Sequence, residues 1–351
     1  MVRRLRRRIL LILILIGIIL IGIELGLRAI GVDRALLGAL FLRVDDPQLD
    51  SITRADLDLR FESPEVSFAV KTYPWFGQEV GFRSPQPKDD PPIVVLGDSF
   101  TFCWTELDDC YVTRLSRMLA LEVSNMGQTG TGIVSHTRLF ERFIKDQGLK
   151  PKLVILQWWV NDSYEDYRLG GETFTDPFYA LGTWLRRNSV IINFLSRQDE
   201  RDLFQYPYQA QKDQIEIGFG SRYMATITDL NSPRVILGEK LSQEAFYDLW
   251  MQTLAVGAKL VVVIIPAKEE VYRELTAPQL GETLNSISAI RQRWLANCQM
   301  MLEYCFDALE ALRASPEQTY YKNDLHLNPT GNRVLATALT DWLKRFGLLV
   351  W

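Results

Sequence analysis

The sequence predicts an α/β protein in which a parallel sheet lies between two layers of helices. From residue 93 onward, short apolar runs alternate with longer stretches of helical periodicity. The first run, Ile93–Leu96, is apolar throughout and rich in β-branched residues, as expected for a strand buried on both faces. A long apolar segment near the N-terminus precedes this alternating part and predicts an additional transmembrane helix.

The alternating pattern defines the predicted elements one by one. In chain order they are a strand at 93–96, a helix at 111–121, a strand at 121–124, a helix at 135–145, strands at 153–157 and 259–265, a helix at 284–304, a strand at 305–306 and a helix at 334–346. About five parallel strands in this order predict a three-layer α/β/α, flavodoxin-like architecture. We expect the first strand to sit centrally, where its loop opens on the topological switch point.

The N-terminal segment predicts a membrane anchor. Five arginines within residues 3–8 precede an apolar run, and the 19 residues from Ile9 to Leu27 carry one charge. At 1.5 Å per residue this length is just sufficient to cross a hydrocarbon core of roughly 30 Å. No small-residue cleavage site follows, so we expect a retained signal anchor, with a cleaved signal or an interfacial helix as alternatives. The arginines predict a cytoplasmic N-terminus, a single-pass topology and an extracytoplasmic body, periplasmic or at the cell surface.

We therefore divide the chain into three parts. Residues 1–31 form the arginine-rich start and the anchor, 32–92 a tether with a segment that packs on the domain edge, and 93–351 the main domain. About a hundred residues separate the third and fourth strands, far more than a crossover needs, which indicates a large, mainly helical insertion at about 163–257. A lid or substrate-shaping subdomain is one interpretation, and an inert or oligomerising elaboration is the other.

Charge and cysteine content narrow the possible partners. Without the five N-terminal arginines the formal charge changes from −4 to −9, which argues against nucleic acid and against peripheral binding to anionic lipid. Protein partners stay open. The four cysteines form two pairs with a spacing of seven residues, at 103 and 110 and at 298 and 305. A helix holds such positions too far apart for a disulfide, and the spacing does not suit a zinc site, so the sequence leaves their state undecided.

A serine follows the first predicted strand, in the turn Gly97-Asp98-Ser99. Ligands of open α/β sheets bind at this edge, where a strand end holds a side chain rigidly. The alternative is a turn that only caps the next helix. As a nucleophile, Ser99 would need a base and donors for an oxyanion.

Two histidines are candidates for the base. His136 lies at the start of an amphipathic helix, where we expect a surface or partly packed side chain. His326 lies in a turn-rich loop before the last helix, two residues after Asp324. A carboxylate in such a place can orient an imidazole and stabilise its charged form.

Two loops offer oxyanion donors. The glycine-rich stretch 125–132 follows the second strand and can bring backbone N–H groups close to a ligand. Asn161 follows the third strand and can donate through its side-chain amide. A phosphate cradle is the alternative for the first loop, but the chain lacks the lysine-bearing P-loop pattern.

With these motif blocks in this order, the chain from about 93 to 343, apart from the insertion, resembles the SGNH (GDSL-type) hydrolase superfamily. The resemblance implies that Ser99 is the nucleophile and that His326 is the general base, oriented by Asp324. It also implies an oxyanion hole made by the backbone N–H groups of Ser99 and Gly130 and by the side chain of Asn161.

Two positions depart from the family pattern. The third motif usually has glycine two residues before the asparagine, where this chain has Trp159. The acid often stands three residues before the histidine, at the position of Asn323, whereas Asp324 lies one residue nearer. The pocket wall must therefore be built differently.

The resemblance implies a serine esterase of a bacterial envelope, acting without metal or cofactor on acyl esters, with O-acetylated carbohydrate as the expected substrate. An O-acyltransferase with the same residues is the second hypothesis, because pocket shape decides the acceptor. A catalytically silent polysaccharide-binding or assembly component is the third.

Several other side chains near these motifs are candidates for substrate contact. Phe100, Trp104 and Trp159 could stack on sugar rings or line an acyl pocket, although large aromatics more often serve packing. Glu269 and Glu270 follow the fourth strand, where helix capping is the expected role and substrate contact the alternative.

Overall fold

The computed structural model describes residues 2–30, 42–46, 48–170, 181–182, 184–185, 188–192, 195 and 203–350. Its strands are β1 Arg43–Asp46, β2 Asp50–Thr53, β3 Asp58–Glu62, β4 Ser67–Lys71, β5 Tyr73–Pro74, β6 Gly81–Phe82, β7 Ile93–Leu96, β8 Val123–Asn125, β9 Leu153–Trp158, β10 Tyr208–Lys212, β11 Ile215–Phe219, β12 Lys259–Ile264 and β13 Cys305–Asp307. Its helices are α1 Val2–Ala29, α2 Ser99–Phe102, α3 Tyr111–Leu119, α4 Ile133–Phe140, α5 Asp162–Gly170, α6 Arg222–Ile227, α7 Pro233–Ala255, α8 Lys268–Val271, α9 Arg273–Leu280, α10 Glu282–Met301, α11 Leu309–Arg313 and α12 Pro329–Arg345.

The predicted five-stranded parallel sheet is confirmed. Its spatial order is β13-β12-β9-β7-β8, and every neighbouring pair is parallel. This is the flavodoxin-like order, with the switch point between β7 and β9. The first strand, β7, is interior but not central, because β9 occupies the middle. All residues of β7 and β9 are buried, which explains their unbroken apolar runs.

Helices cover both faces of the sheet. Helices α3 and α12 pack against each other, and α4 packs against α7. Parallel strands are joined by right-handed crossovers as a rule, which puts these two pairs on opposite faces. Trp158 of β9 and Trp294 of α10 pack with ring centroids 5.5 Å apart, and Phe246 of α7 lies 5.8 Å from Trp294, so α7 and α10 share a face. The predicted helix ends differ from the observed ones by up to five residues. One shift of five residues is at α12, which begins at Pro329 because the Asn328 side chain caps it and proline suits its first turn.

The sequence predicts a tether with an edge-packing segment at residues 32–92, and the described residues between 42 and 92 form what we call the N-terminal strand layer. It consists of three antiparallel strand pairs, β1 with β2, β3 with β4 and β5 with β6. Phe61 and Phe68 of the second pair pack with Phe102 and Trp104 in a small separate core. The strands are short and paired locally, so their hydrophobic periodicity is weak in the sequence, yet they cover the region that follows Ser99.

Both cysteine pairs are disulfides, Cys103–Cys110 and Cys298–Cys305, with Cα atoms 5.4 and 6.2 Å apart. The objection from helix geometry does not apply, because neither pair lies within one helix. Cys103 follows α2 and Cys110 precedes α3, while Cys298 lies in α10 and Cys305 begins β13. Each bridge therefore ties two successive elements together across a short connection.

The described part of the insertion is mainly helical, as predicted, but it also contains the hairpin of β10 and β11. Helix α7 packs against α5 and α4, and the hairpin packs against α9. Most of the described residues between 181 and 195 are helical, and the other positions of this stretch lie outside the described residues.

At the N-terminus, helix α1 is long and apolar enough to cross a membrane, over a candidate span of 26 residues whose most apolar window has a mean hydropathy of 3.0 and is not buried in the protein. Length and composition agree with the predicted anchor.

Candidate active site

Residues 97–102, which we call the nucleophile turn, follow β7 and include α2. Ser99 is the first residue of α2, and the Asp98 side chain accepts a hydrogen bond from the Phe100 N–H at 2.9 Å. Gly97 is needed here, because a Cβ at this position would collide with the side chains of Thr101 and Gln157. Gln157 of β9 accepts from the Asp98 N–H at 3.0 Å and from the Thr101 hydroxyl at 2.9 Å. The turn is thus fixed against the central strand of the sheet.

The structure brings Ser99, His326 and Asp324 together. The Ser99 Oγ lies 2.7 Å from the His326 Nε2, and the His326 Nδ1 lies 2.6 Å from the Asp324 Oδ1. The same carboxylate oxygen accepts the His326 backbone N–H at 2.9 Å. Since Asp324 can only accept, its contact assigns the proton to Nδ1 and leaves Nε2 free to accept from the serine. Nucleophile, base and orienting acid are within hydrogen-bond reach in the order that acyl chemistry needs.

The pKa values of Asp324 and Asp98, two carboxylates at this site, are shifted in opposite directions. Burial alone would raise the pKa of Asp324, but the charge of His326, hydrogen bonds from its ring and backbone, and the charge of Lys268 hold that pKa below its ordinary value. Burial raises the pKa of Asp98 to about 6, opposed in part by the Phe100 N–H, by His326 and by hydrogen bonds with Gln157 and Asn161. Asp324 therefore stays a carboxylate at neutral pH beside the imidazole.

Both loops proposed as oxyanion donors adjoin the nucleophile turn. Asn161 is 4% exposed. A hydrogen bond from its side chain lowers the pKa of Asp98, the residue before Ser99. In the glycine-rich loop the Gln128 N–H donates to the Gly97 carbonyl at 2.9 Å. Two residues further on, Gly130 has a φ of +61°, a conformation that glycine adopts without strain. Its carbonyl accepts from Arg168 at 3.0 Å and from Arg43 at 3.3 Å, which fixes the peptide that follows Gly130.

The aromatic candidates pack around the histidine. The rings of Phe100 and Trp104 lie 5.0 and 5.1 Å from the His326 ring, and Trp104 is stacked on it. Trp159 lies 5.1 Å from Phe100 and is 1% exposed. Trp159 thus fills the place of the family's usual glycine as a packing residue behind Phe100. Contact of these three side chains with substrate stays a prediction.

The expectation for His136 was wrong. Its side chain is fully buried, its Nε2 lies 3.1 Å from the Thr131 hydroxyl, and burial lowers its pKa to about 3, opposed slightly by the Gly97 carbonyl. The helix that carries it is buried on nearly every side, between the sheet and α7, so the amphipathic pattern was misleading. His136 is a neutral packing residue beneath the glycine-rich loop.

Glu270 has the capping role expected of it. Its side chain accepts the Ala267 N–H at 3.3 Å and also accepts from Arg291 at 2.8 Å. Glu269 is buried as well and accepts from the Gly220 N–H at 3.4 Å. Both carboxylates are therefore hydrogen-bonded to other groups of the protein.

One buried cation near the site escaped the sequence analysis. Arg83, 2% exposed, donates to the carbonyls of Phe102, Cys103 and Thr105 at 2.7–3.1 Å and to that of Ala69 at 2.9 Å. Burial lowers its pKa to about 10, with Glu106 acting in the opposite direction. It holds the segment after the nucleophile turn against β4. In the sequence, the only local sign of this role is a charged residue directly after the two residues of β6.

The described residues contain no group of three or more histidine, cysteine, aspartate or glutamate side chains suited to a metal ion. The chemistry that the site can perform on its own is proton transfer and nucleophilic attack by a serine.

Residues 240–348 match a family model described as an SGNH hydrolase-like domain, acetyltransferase AlgX. The matched stretch includes His326 and Asp324. Together with the flavodoxin-like sheet, this match confirms the resemblance to the SGNH superfamily. A search among curated proteins found no match.

Similar solved structures include a lipolytic protein of the G-D-S-L family from Desulfitobacterium hafniense DCB-2, at 11% identity and a TM-score of 0.41. Est24, a carbohydrate acetylesterase from Sinorhizobium meliloti, has 11% identity and a TM-score of 0.38, and an aryl esterase from M. smegmatis has 12% and 0.39. Each alignment covers 72% of this chain and 98% of the other. With TM-scores below 0.5, these likenesses are weak.

Proposed function

We propose that this chain, which carries an SGNH hydrolase-like domain, is a serine enzyme that takes an acyl group from an ester onto Ser99. The observation that carries the proposal is the relay from the Ser99 hydroxyl through His326 to Asp324, with contacts of 2.7 and 2.6 Å. A serine hydroxyl placed on a base that a carboxylate orients is the arrangement that acyl transfer requires.

In the first step His326 Nε2 accepts the proton of Ser99 as the Oγ attacks the ester carbonyl, and Asp324 stabilises the imidazolium. The carbonyl oxygen becomes a tetrahedral oxyanion, for which the N–H groups of Ser99 and Gly130 and the amide of Asn161 are the proposed donors. When the intermediate collapses, the ester bond breaks and His326 returns the proton to the departing alcohol. Ser99 is left as an acyl ester.

The acceptor that releases the acyl group decides between two functions. Water gives an esterase, for which O-acetylated carbohydrate of the cell envelope is the proposed substrate. A carbohydrate hydroxyl gives an O-acetyltransferase with the same residues, and the description of the matching family model favours this second candidate. In both cases His326 takes a proton from the acceptor as the acceptor oxygen bonds to the acyl carbon, then the acyl–Ser99 bond breaks and His326 returns the proton to the Ser99 Oγ.

The proposed location is the outer side of a membrane. Helix α1 has the length and hydropathy of an anchor, and the arginines before it favour a cytoplasmic N-terminus. The enzyme would then act on esters of the envelope from a fixed position at the membrane surface.

The test is covalent labelling of the full-length protein in detergent with a fluorophosphonate probe. We expect the wild type to label and Ser99→Ala to remain unlabelled, while the control Ser288→Ala, a residue of α10 that accepts from Arg273, labels normally. Release of p-nitrophenol from p-nitrophenyl acetate should fall at least roughly 10³-fold in Ser99→Ala.

A second assay separates the acceptors. Acetate release from an acetylated glycan in water alone supports the esterase, whereas acetyl transfer that requires an added acceptor sugar supports the transferase. A wild type that does not label, beside a control esterase that does, would favour the catalytically silent envelope component instead.

A further inference from the structure

Lys268, the first residue of α8, is a buried cation beside the site. Its side chain is 1% exposed, and its Nζ donates to the carbonyls of Lys322 and Asp324 at 3.0 Å each and reaches that of Tyr321 at 3.5 Å. The Nζ also lies 4.1 Å from the centroid of the Tyr206 ring. An ammonium has three N–H donors and no acceptor, so three carbonyls and an aromatic face satisfy it almost completely. Burying a cation is costly, and here all of its hydrogen bonds go to one loop.

That loop, residues 321–326, we call the acid-base loop because it carries Asp324 and His326. Its opposite side is also held. The carboxylate of Glu65, from the connection between β3 and β4, accepts the N–H groups of Lys322 and Asn323. The Gly218 N–H of β11 donates to the Lys322 carbonyl at 2.8 Å. An anion on the N–H side and a cation on the C=O side therefore fix this short stretch of backbone.

We propose that Lys268 is a positioning residue for the reaction, whose ammonium holds the acid-base loop so that the Asp324 carboxylate meets the His326 ring. This inference rests on the proposed function of Ser99, His326 and Asp324. Asp324 is bound to Lys268 through its own carbonyl, so a shift of that backbone moves the carboxylate directly. Misplacement by about 1 Å can reduce turnover roughly 10²-fold.

The charges that face Lys268 come from each element packed against it. They are Glu269 on its own helix, Asp324 on the acid-base loop and Glu65 from the N-terminal strand layer, with the phenol of Tyr206 from the insertion. Burial lowers the pKa of Lys268 to about 8, although the three carboxylates act to raise it. Above this pH the amine has two N–H groups for three carbonyls and no charge. The hydrogen bonds that hold the acid-base loop should therefore weaken, and turnover should decline as the pH rises above about 8.

The experiment measures p-nitrophenol release from p-nitrophenyl acetate by the full-length protein in detergent, from pH 6 to pH 10. For Lys268→Met we expect kcat to fall roughly 10- to 100-fold with KM changed less than about threefold, and the decline above pH 8 to be lost. Lys268→Arg should recover part of the activity and keep it at higher pH, because a guanidinium stays charged. The matched control is Lys212→Met, which removes an exposed lysine paired with Glu274.

The proposal fails if Lys268→Met stays within twofold of the wild type, or if it keeps the same alkaline decline. If Lys268→Met does not fold, as judged by near-UV circular dichroism, the pH profile of Lys268→Arg decides, and a profile that matches the wild type refutes the proposal. Failure of the proposed function is recognised separately, because the wild type itself would then not label with fluorophosphonate.

Discussion

The two halves of the candidate active site are built in different ways. The nucleophile turn is held from within the sheet, by the Asp98 cap and by Gln157 on the neighbouring strand, both fully buried. The acid-base loop is held by Glu65, the Gly218 N–H and Lys268, which come from the N-terminal strand layer, the insertion and the start of α8. One half depends on the core, and the other on three parts of the chain remote in sequence.

This difference predicts whether a substitution in each half affects stability or turnover. Buried polar contacts of the nucleophile turn contribute to the stability of the whole fold, because a buried donor without a partner costs about 1–3 kcal/mol. The contact of the acid-base loop with Glu65, an exposed residue, contributes less to stability and more to the alignment of His326. Substitutions in the two halves should therefore separate stability from turnover.

The largest effect is expected for Asp324→Asn. The asparagine amide can donate to Nδ1 of His326. The imidazole can then take the other tautomer, in which Nε2 carries the proton and no longer accepts from Ser99. We expect kcat for p-nitrophenyl acetate to fall by roughly 10⁴-fold with little change in melting temperature. A decrease of less than tenfold would remove Asp324 from the relay. Asn323→Ala, at the neighbouring position of the same loop, is the control.

A smaller effect is expected for Glu65→Gln. The glutamine can accept only one of the two loop N–H groups, because its other end is a donor, so the loop loses one of its fixed points. We expect kcat to fall about tenfold while the melting temperature changes by less than about 2 °C. Glu62→Gln, an exposed residue of the same hairpin, should behave like the wild type. Equal kcat values for the two variants would show that the acid-base loop does not depend on its remote contacts.

The smallest effect on turnover is expected for Gln157→Leu, in the other half. It leaves the Asp98 N–H without its acceptor inside the core, and the Thr101 hydroxyl keeps only the Tyr111 hydroxyl as a partner. We expect the free energy of unfolding to fall by about 2–4 kcal/mol, measured by denaturation in detergent, while kcat of the folded protein stays within about threefold. Gln147→Leu, at an exposed position, is the matched control. A large loss of kcat with unchanged stability would contradict the distinction between the halves.

The sequence predicted the parts of the fold and site whose signals are local. Strand runs, the Gly97-Asp98-Ser99 turn and the Asp324–His326 pair each lie within a few residues, and the structure places them together at the sheet edge. The residues that hold them were not predictable in the same way. Glu65, Arg83 and Lys268 act through backbone groups far away in sequence, and no local pattern shows which carbonyls a lysine will meet.

Two further points depended on information that is not local. The sequence left the cysteine pairs undecided because they were judged by the geometry of one helix, whereas each pair bridges two elements. His136 was judged by the period of its own helix, but α7, from the insertion, covers the face that would otherwise be exposed. In both cases the missing information was which element packs beside the residue.

The strand layer of residues 42–92 has a consequence for anyone who wishes to divide this protein. A shortened chain that begins at residue 93 would keep Ser99, His326 and Asp324 but lose Glu65 and Arg83, which together bind five backbone groups of the remaining chain. The smallest unit that can be grafted onto another anchor or exchanged between relatives therefore begins before β1. Domain boundaries drawn from the catalytic motifs alone would cut through the site.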